Sequence, residues 1–195
     1  MHSNHYNLNE IKIILAPGNG GGGPNDQWFP YAKREFEQMG MQVLAYEFPD
    51  NILARESYWI PFLRDQLGAD NKTIVIGHSS GAIAAMRLAE ETPLLGTVLV
   101  GGYYTDLGLE NERIAGYFSR PWQWDKIKTN QDWIIQFNST DDPWIPIAEA
   151  RYVHEQLNTD YYEYTDQGHF GGDYLKTSFP ELITAVKKNL KLSCA

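Results

Sequence analysis

Short, almost continuously apolar runs alternate with amphipathic stretches along this chain. Residues 11–16, 41–46, 73–77, 97–101, 133–137 and 161–165 carry the β-branched and aromatic residues of strands. Several lack the apolar–polar alternation of a half-exposed sheet, which is the pattern of strands covered on both faces. Between them, 28–39, 55–67, 80–91, 146–157 and 178–190 read as helices. The first sets Trp28, Tyr31, Ala32, Phe36 and Met39 on one face at spacings of three and four. Strand followed by helix, repeated across short connections, predicts a parallel, doubly wound α/β sheet.

No repeat and no Ser/Pro-rich linker divides the chain, so 11–192 reads as one domain behind a polar N-terminal tail, 1–10. Only 103–131 breaks the alternation. This stretch reads as an irregular insertion over the carboxyl edge of the sheet, where open α/β sheets bind ligands. A length of 195 residues, 43% of them hydrophobic, is enough to bury a core without staples. The net charge of −9 argues against nucleic acid or an anionic membrane as partner. No apolar run approaches the ~18 residues of a membrane span. One cysteine, Cys194, excludes a disulfide framework and a Cys-based metal cage. The N-terminus has neither a secretory nor a transit-peptide pattern. These features predict a soluble, cytoplasmic domain with no metal and no cofactor.

The most informative segment is Gly77-His78-Ser79-Ser80-Gly81, which ends an apolar strand and opens a small-residue helix. A serine on a sharp strand-to-helix turn is held in a strained conformation, and glycines two before and two after it make room for the close approach. Ser79 is therefore the candidate nucleophile. A serine hydroxyl needs a base and an orienting acid. His169, in a turn-like segment after the last strand, is the candidate base. His2 and His5 fall in the tail, His78 is expected to point away from the reaction, and His154 lies within a helix. The acid is sought between serine and histidine in the chain, where Asp141 and Asp142 are both candidates. Pro143 biases Asp142 toward extended backbone and favours it; the other reads as a turn aspartate.

The glycine run at 17–24 matches no phosphate-binding or dinucleotide fingerprint. It reads better as an oxyanion loop, with backbone N–H groups of Asn19 and Gly20 joined by that of Ser80. Trp122, Trp124 and Trp144 are candidates for an apolar substrate pocket. Glu112 and Arg113 read as a salt bridge anchoring the insertion.

At these residues the chain resembles the small serine hydrolases typified by retinoblastoma-binding protein nine, within the α/β-hydrolase fold. The likeness runs through the loop at 17–22, Ala54-Arg55-Glu56-Ser57, the block 76–87 around Ser79, Glu110-Asn111-Glu112-Arg113, 120–124, 139–143 and Gly168-His169-Phe170. It implies a three-layer α/β/α hydrolase fold with a six-stranded, mostly parallel sheet and no separate lid domain. It also implies a triad falling on Ser79, Asp142 and His169 with hydrolase activity; the chemistry of such a triad predicts a small-molecule acyl substrate. Ester-like bonds are preferred over peptides, because so short a chain has little room for an extended cleft. Where the family's human-type member has a Leu-x-Cys-x-Glu segment linked to retinoblastoma-protein binding, this chain has Leu67-Gly68-Ala69-Asp70-Asn71. That partner is not implied here. Gly171-Gly172 is a second departure, beside the histidine. The alternative expectation is a catalytically weak hydrolase-fold protein that serves as a protein-binding module.

Overall fold

A computed structural model describes residues 6–192. Met1 to His5, including His2, and the segment with Cys194 lie outside the described residues. Six strands, β1 (Lys12–Ala16), β2 (Gln42–Leu44), β3 (Thr73–His78), β4 (Leu94–Val100), β5 (Gln131–Ser139) and β6 (Asp160–Tyr164), form one sheet in the order β2-β1-β3-β4-β5-β6. Every neighbouring pair is parallel, so the sheet is wholly rather than mostly parallel. The central strands are sealed on both faces: β4 is buried at every position and β3 at all but His78. Strand alternation then sorts the core into two layers. Ile14, Val75 and Leu99 meet one layer, and Ile13, Ile74, Ile76 and Val98 meet the other.

Helices α1 (Phe29–Gln38) and α7 (Pro180–Asn189) cover the second layer, burying Phe36, Leu182 and Val186. The first layer is covered by α2 (Glu56–Pro61), α3 (Ser80–Ala89), α5 (Trp124–Thr129) and α6 (Ile147–Leu157). The predicted helix at 55–67 is α only to Pro61, which has no N–H to continue the ladder. It passes into a π-helical turn over Phe62–Gln66, closed by the Leu67 N–H donating to Phe62 O.

Two expectations change. The tail is not all tail: Leu8–Glu10 forms a 3-10 turn, and Tyr6 and Leu8 pack against the core. The stretch 103–131 is not irregular either. It holds α4 (Glu110–Ala115) and α5, and it is pinned to α3 by Arg87, a buried guanidinium beneath it. Arg87 donates to the carbonyls of Tyr117, Arg120 and Pro121, pairs with Glu90 at 2.6 Å, and lies 3.6 Å over the Trp122 ring.

Candidate active site

The turn from β3 into α3 puts Ser79 at φ 55°, ψ −119°, a conformation that ordinary side chains rarely adopt. The surrounding backbone leaves no alternative to glycine. A Cβ on Gly77 would lie 2.2 Å from Gly81 O, and one on Gly81 would lie 2.2 Å from Ala16 O. The strain is held in place by the ladder, because the Ser79 N–H donates to Val100 O at 2.8 Å.

His169 follows β6 on the same sheet edge. Its Nδ1 lies 2.6 Å from Asp142 Oδ2, with both side chains almost fully buried. The other oxygen, Oδ1, accepts the backbone N–H groups of Trp144 and Ile145, each at 2.9 Å. A carboxylate so held cannot rotate away from the ring. Asp141 faces elsewhere, accepting from the Ser139 hydroxyl and from the Gly168 N–H at 2.9 Å. These bonds, led by that from Ser139, hold its carboxyl below the usual aspartate range. Asp141 thus braces the loop that carries His169.

Ser79 and His169 line one cavity of about 350 Å³, together with Pro17 to Gly22, Asp26, Gln27, Phe29, His78, Trp144, Gly171 and Gly172. The serine hydroxyl and the imidazole share it without a hydrogen bond between them; such contacts commonly tighten only when substrate binds. Trp144 forms one wall, edge-on to the His169 ring at 4.9 Å. Gly172 is part of that fit, since a Cβ there would come within 3.1 Å of the indole.

Several candidates are placed otherwise. Trp122 and Trp124 stack on each other at 5.5 Å, pack against the core and do not line the cavity. They hold the insertion to Arg87 and α6, which is the commoner use of loop aromatics. The insertion therefore stands beside the cavity rather than over it. The Gly20 N–H is already spent on Ile52 O at 2.9 Å, and that of Gly21 on Asn51 O at 3.0 Å. Gly20 is thus removed as an oxyanion donor. The N–H groups of Asn19 and Ser80 have no such partner among the described residues. Arg113 pairs with Glu110 and Asp106, while Glu112 turns inward.

His78 was expected to point away, yet it lines the cavity. Its Nε2 donates to the His169 carbonyl at 2.7 Å, and the two rings lie 4.9 Å apart. Burial, followed by the neighbouring His169, pulls its pKa down to about 3. The ring is therefore neutral at ordinary pH and adds no positive charge beside His169. The signal available in the sequence was its place directly before the serine, but spacing alone does not orient a ring.

Among the described residues no group of side chains is arranged to hold a metal, and no helix is long and apolar enough to cross a membrane. A family model described as serine hydrolase matches residues 13–188. The chain is 51% identical to serine hydrolase RBBP9 of Rattus norvegicus, over 92% of this chain and 95% of that one. The crystal structure of the ydeN gene product of B. subtilis superposes with a TM-score of 0.83 at 22% identity, covering 93% and 99% of the two chains. A carboxylesterase structure from Nitrososphaera gargenis gives 0.69 at 13% identity, covering 93% and 91%. With its serine on a strained turn at the edge of a parallel sheet, this chain belongs to the serine hydrolase family and has the α/β-hydrolase fold.

Proposed function

We propose that the protein hydrolyses small esters, thioesters or amides through an acyl-enzyme on Ser79. The reading is carried by one arrangement: an imidazole tied to a buried carboxylate, sharing a cavity with a strained serine. Nδ1 of His169 carries the proton that faces Asp142, which leaves Nε2 with a lone pair for the Ser79 hydroxyl. The serine oxygen attacks the acyl carbon as its proton moves to Nε2. The developing oxyanion is stabilised by the N–H groups of Asn19 and Ser80, where each donor contributes roughly 3 kcal/mol to lowering the barrier. His169 then protonates the leaving alcohol, thiol or amine. Water, deprotonated by the same nitrogen, attacks the acyl-enzyme and restores the serine. Asp142 holds the tautomer and stabilises the imidazolium throughout.

The cavity volume suits a compact acyl group against Trp144 and Phe29 better than a long peptide. A cytoplasmic location belongs to the same proposal. Treatment with a fluorophosphonate and measurement of intact mass tests it: wild type gains one phosphonyl group and Ser79→Ala gains none. Equal labelling of both, or of neither, would overturn the assignment of Ser79 as nucleophile.

A further inference from the structure

Glu112 is only 5% exposed, although it comes from the short helix α4 of the insertion. Its Oε1 accepts from Asn19 Nδ2 at 2.8 Å and from Asn111 Nδ2 at 3.3 Å, and its Oε2 accepts from the Tyr103 hydroxyl at 2.6 Å. Burying a carboxyl group is costly unless such donors compensate it. Tyr103 is sealed, and burial, then the neighbouring Glu112, pushes its phenol well above the usual range, so it stays a donor. The Ser80 hydroxyl lies beside Tyr103 and has no well-formed partner of its own. One carboxyl group thus links Asn19, which lines the cavity, to Tyr103 in the buried core.

The glycine loop explains why this grip matters. Gly18 is packed against the serine, since a Cβ there would lie 3.3 Å from Ser79 Cβ. Gly20 and Gly21 are pinned by Ile52 and Asn51. Between these fixed points, the side chain of Asn19 is held by Glu112. We propose that Glu112 is a positioning residue for the oxyanion hole, clamping Asn19 from behind so that its backbone N–H stays aimed at the oxygen that becomes negative. This rests on the acyl-transfer reading of Ser79. A carboxyl group that merely anchored the insertion would affect stability and leave turnover per folded site unchanged.

The test compares wild type, Ser79→Ala, Glu112→Ala, Asn19→Ala and the double variant Glu112→Ala/Asn19→Ala, using a short-chain p-nitrophenyl ester and unfolding midpoints. Persistent turnover in Ser79→Ala would overturn the acyl-transfer reading itself, separately from the role of Glu112. Given Ser79-dependent turnover, Glu112→Ala and Asn19→Ala each lower kcat about 10- to 100-fold, with KM within about twofold. Affinity for phenylboronic acid, which forms a tetrahedral adduct on serine, falls in parallel. The double variant is no slower than the worse single variant, because both cut the same link. Asn19→Ala leaves the bond from Tyr103 to Glu112 in place and carries the test by itself if Glu112→Ala does not fold. A kcat within about twofold of wild type in either folded variant, or additive losses in the double variant, would overturn the proposal.

Discussion

Asp141 and Asp142 are adjacent and chemically identical, and the backbone gives them different tasks. Asp142 spends one oxygen on two backbone N–H groups and the other on the imidazole; Asp141 spends its own on the loop behind that imidazole. Replacing Asp142 by Asn keeps the shape but favours the wrong tautomer of His169. It should lower kcat/KM by about 10³- to 10⁴-fold with little change in the unfolding midpoint. Asp141→Asn should cost less than about tenfold, because it loosens a loop without altering the proton on Nδ1. Steady-state kinetics of the two variants, each normalised to folded sites, checks the contrast. His78 gives a residue-scale prediction of a different kind. In the unfolded chain its imidazole takes up a proton near pH 6.5, whereas in the folded protein it does so only near pH 3. Between those values the unfolded state binds more protons, so acid favours unfolding. Stability is complete above about pH 6.5 and falls by at most ~1.4 kcal/mol per pH unit below it, an upper limit because one side of the residue meets the cavity. Urea titrations between pH 4 and 7 should show a steeper loss for wild type than for His78→Gln, and identical slopes would refute this origin.

Among the elements, the insertion is the one whose order is borrowed. Helices α4 and α5 have six residues each, too short to persist without tertiary support. That support is concentrated in Arg87 on α3, which joins three carbonyls, Glu90 and the Trp122 face. Arg87→Ala leaves these acceptors and the Glu90 carboxylate without the guanidinium, and should destabilise by about 3–5 kcal/mol. A lower urea midpoint with an unchanged slope is the expected observation; a midpoint within error of wild type would show that the aromatic packing alone holds the segment.

Across the whole molecule, what could be read from sequence was what repeats or is locally forced. The continuously apolar runs became the interior strands β1, β3, β4 and β5. The runs at 41–46 and 161–165 formed the partly exposed edges β2 and β6, and alternation with helices pointed to the parallel topology. Ser79 was readable because glycine is required at 77 and 81, where an added Cβ would meet backbone oxygen at 2.2 Å. His169 was sought after the last strand, whereas place alone left Asp141 and Asp142 both open; Pro143 favoured the second, and only the fold brings its carboxylate to His169. The remainder depends on contacts distant in sequence. Nothing near Gly20 announces that Ile52 occupies its N–H, and nothing near Trp122 and Trp124 announces Arg87 beneath them. Glu112 looked like a partner for adjacent Arg113 because the pairing with Asn19 spans 93 positions. Length alone also could not reveal that Tyr6 and Leu8 fold onto the core, since an apolar pair in a polar tail has no period.

The most direct measurement is chemical trapping of the intermediate. Wild-type protein is mixed with p-nitrophenyl acetate, quenched in acid within the first turnover, digested and sequenced by mass spectrometry. The account predicts one acetyl group, located on Ser79, which accumulates when His169 is replaced more slowly than in wild type and is absent from Ser79→Ala. An acetyl group fixed on any other side chain, or undiminished hydrolysis by Ser79→Ala, would contradict it.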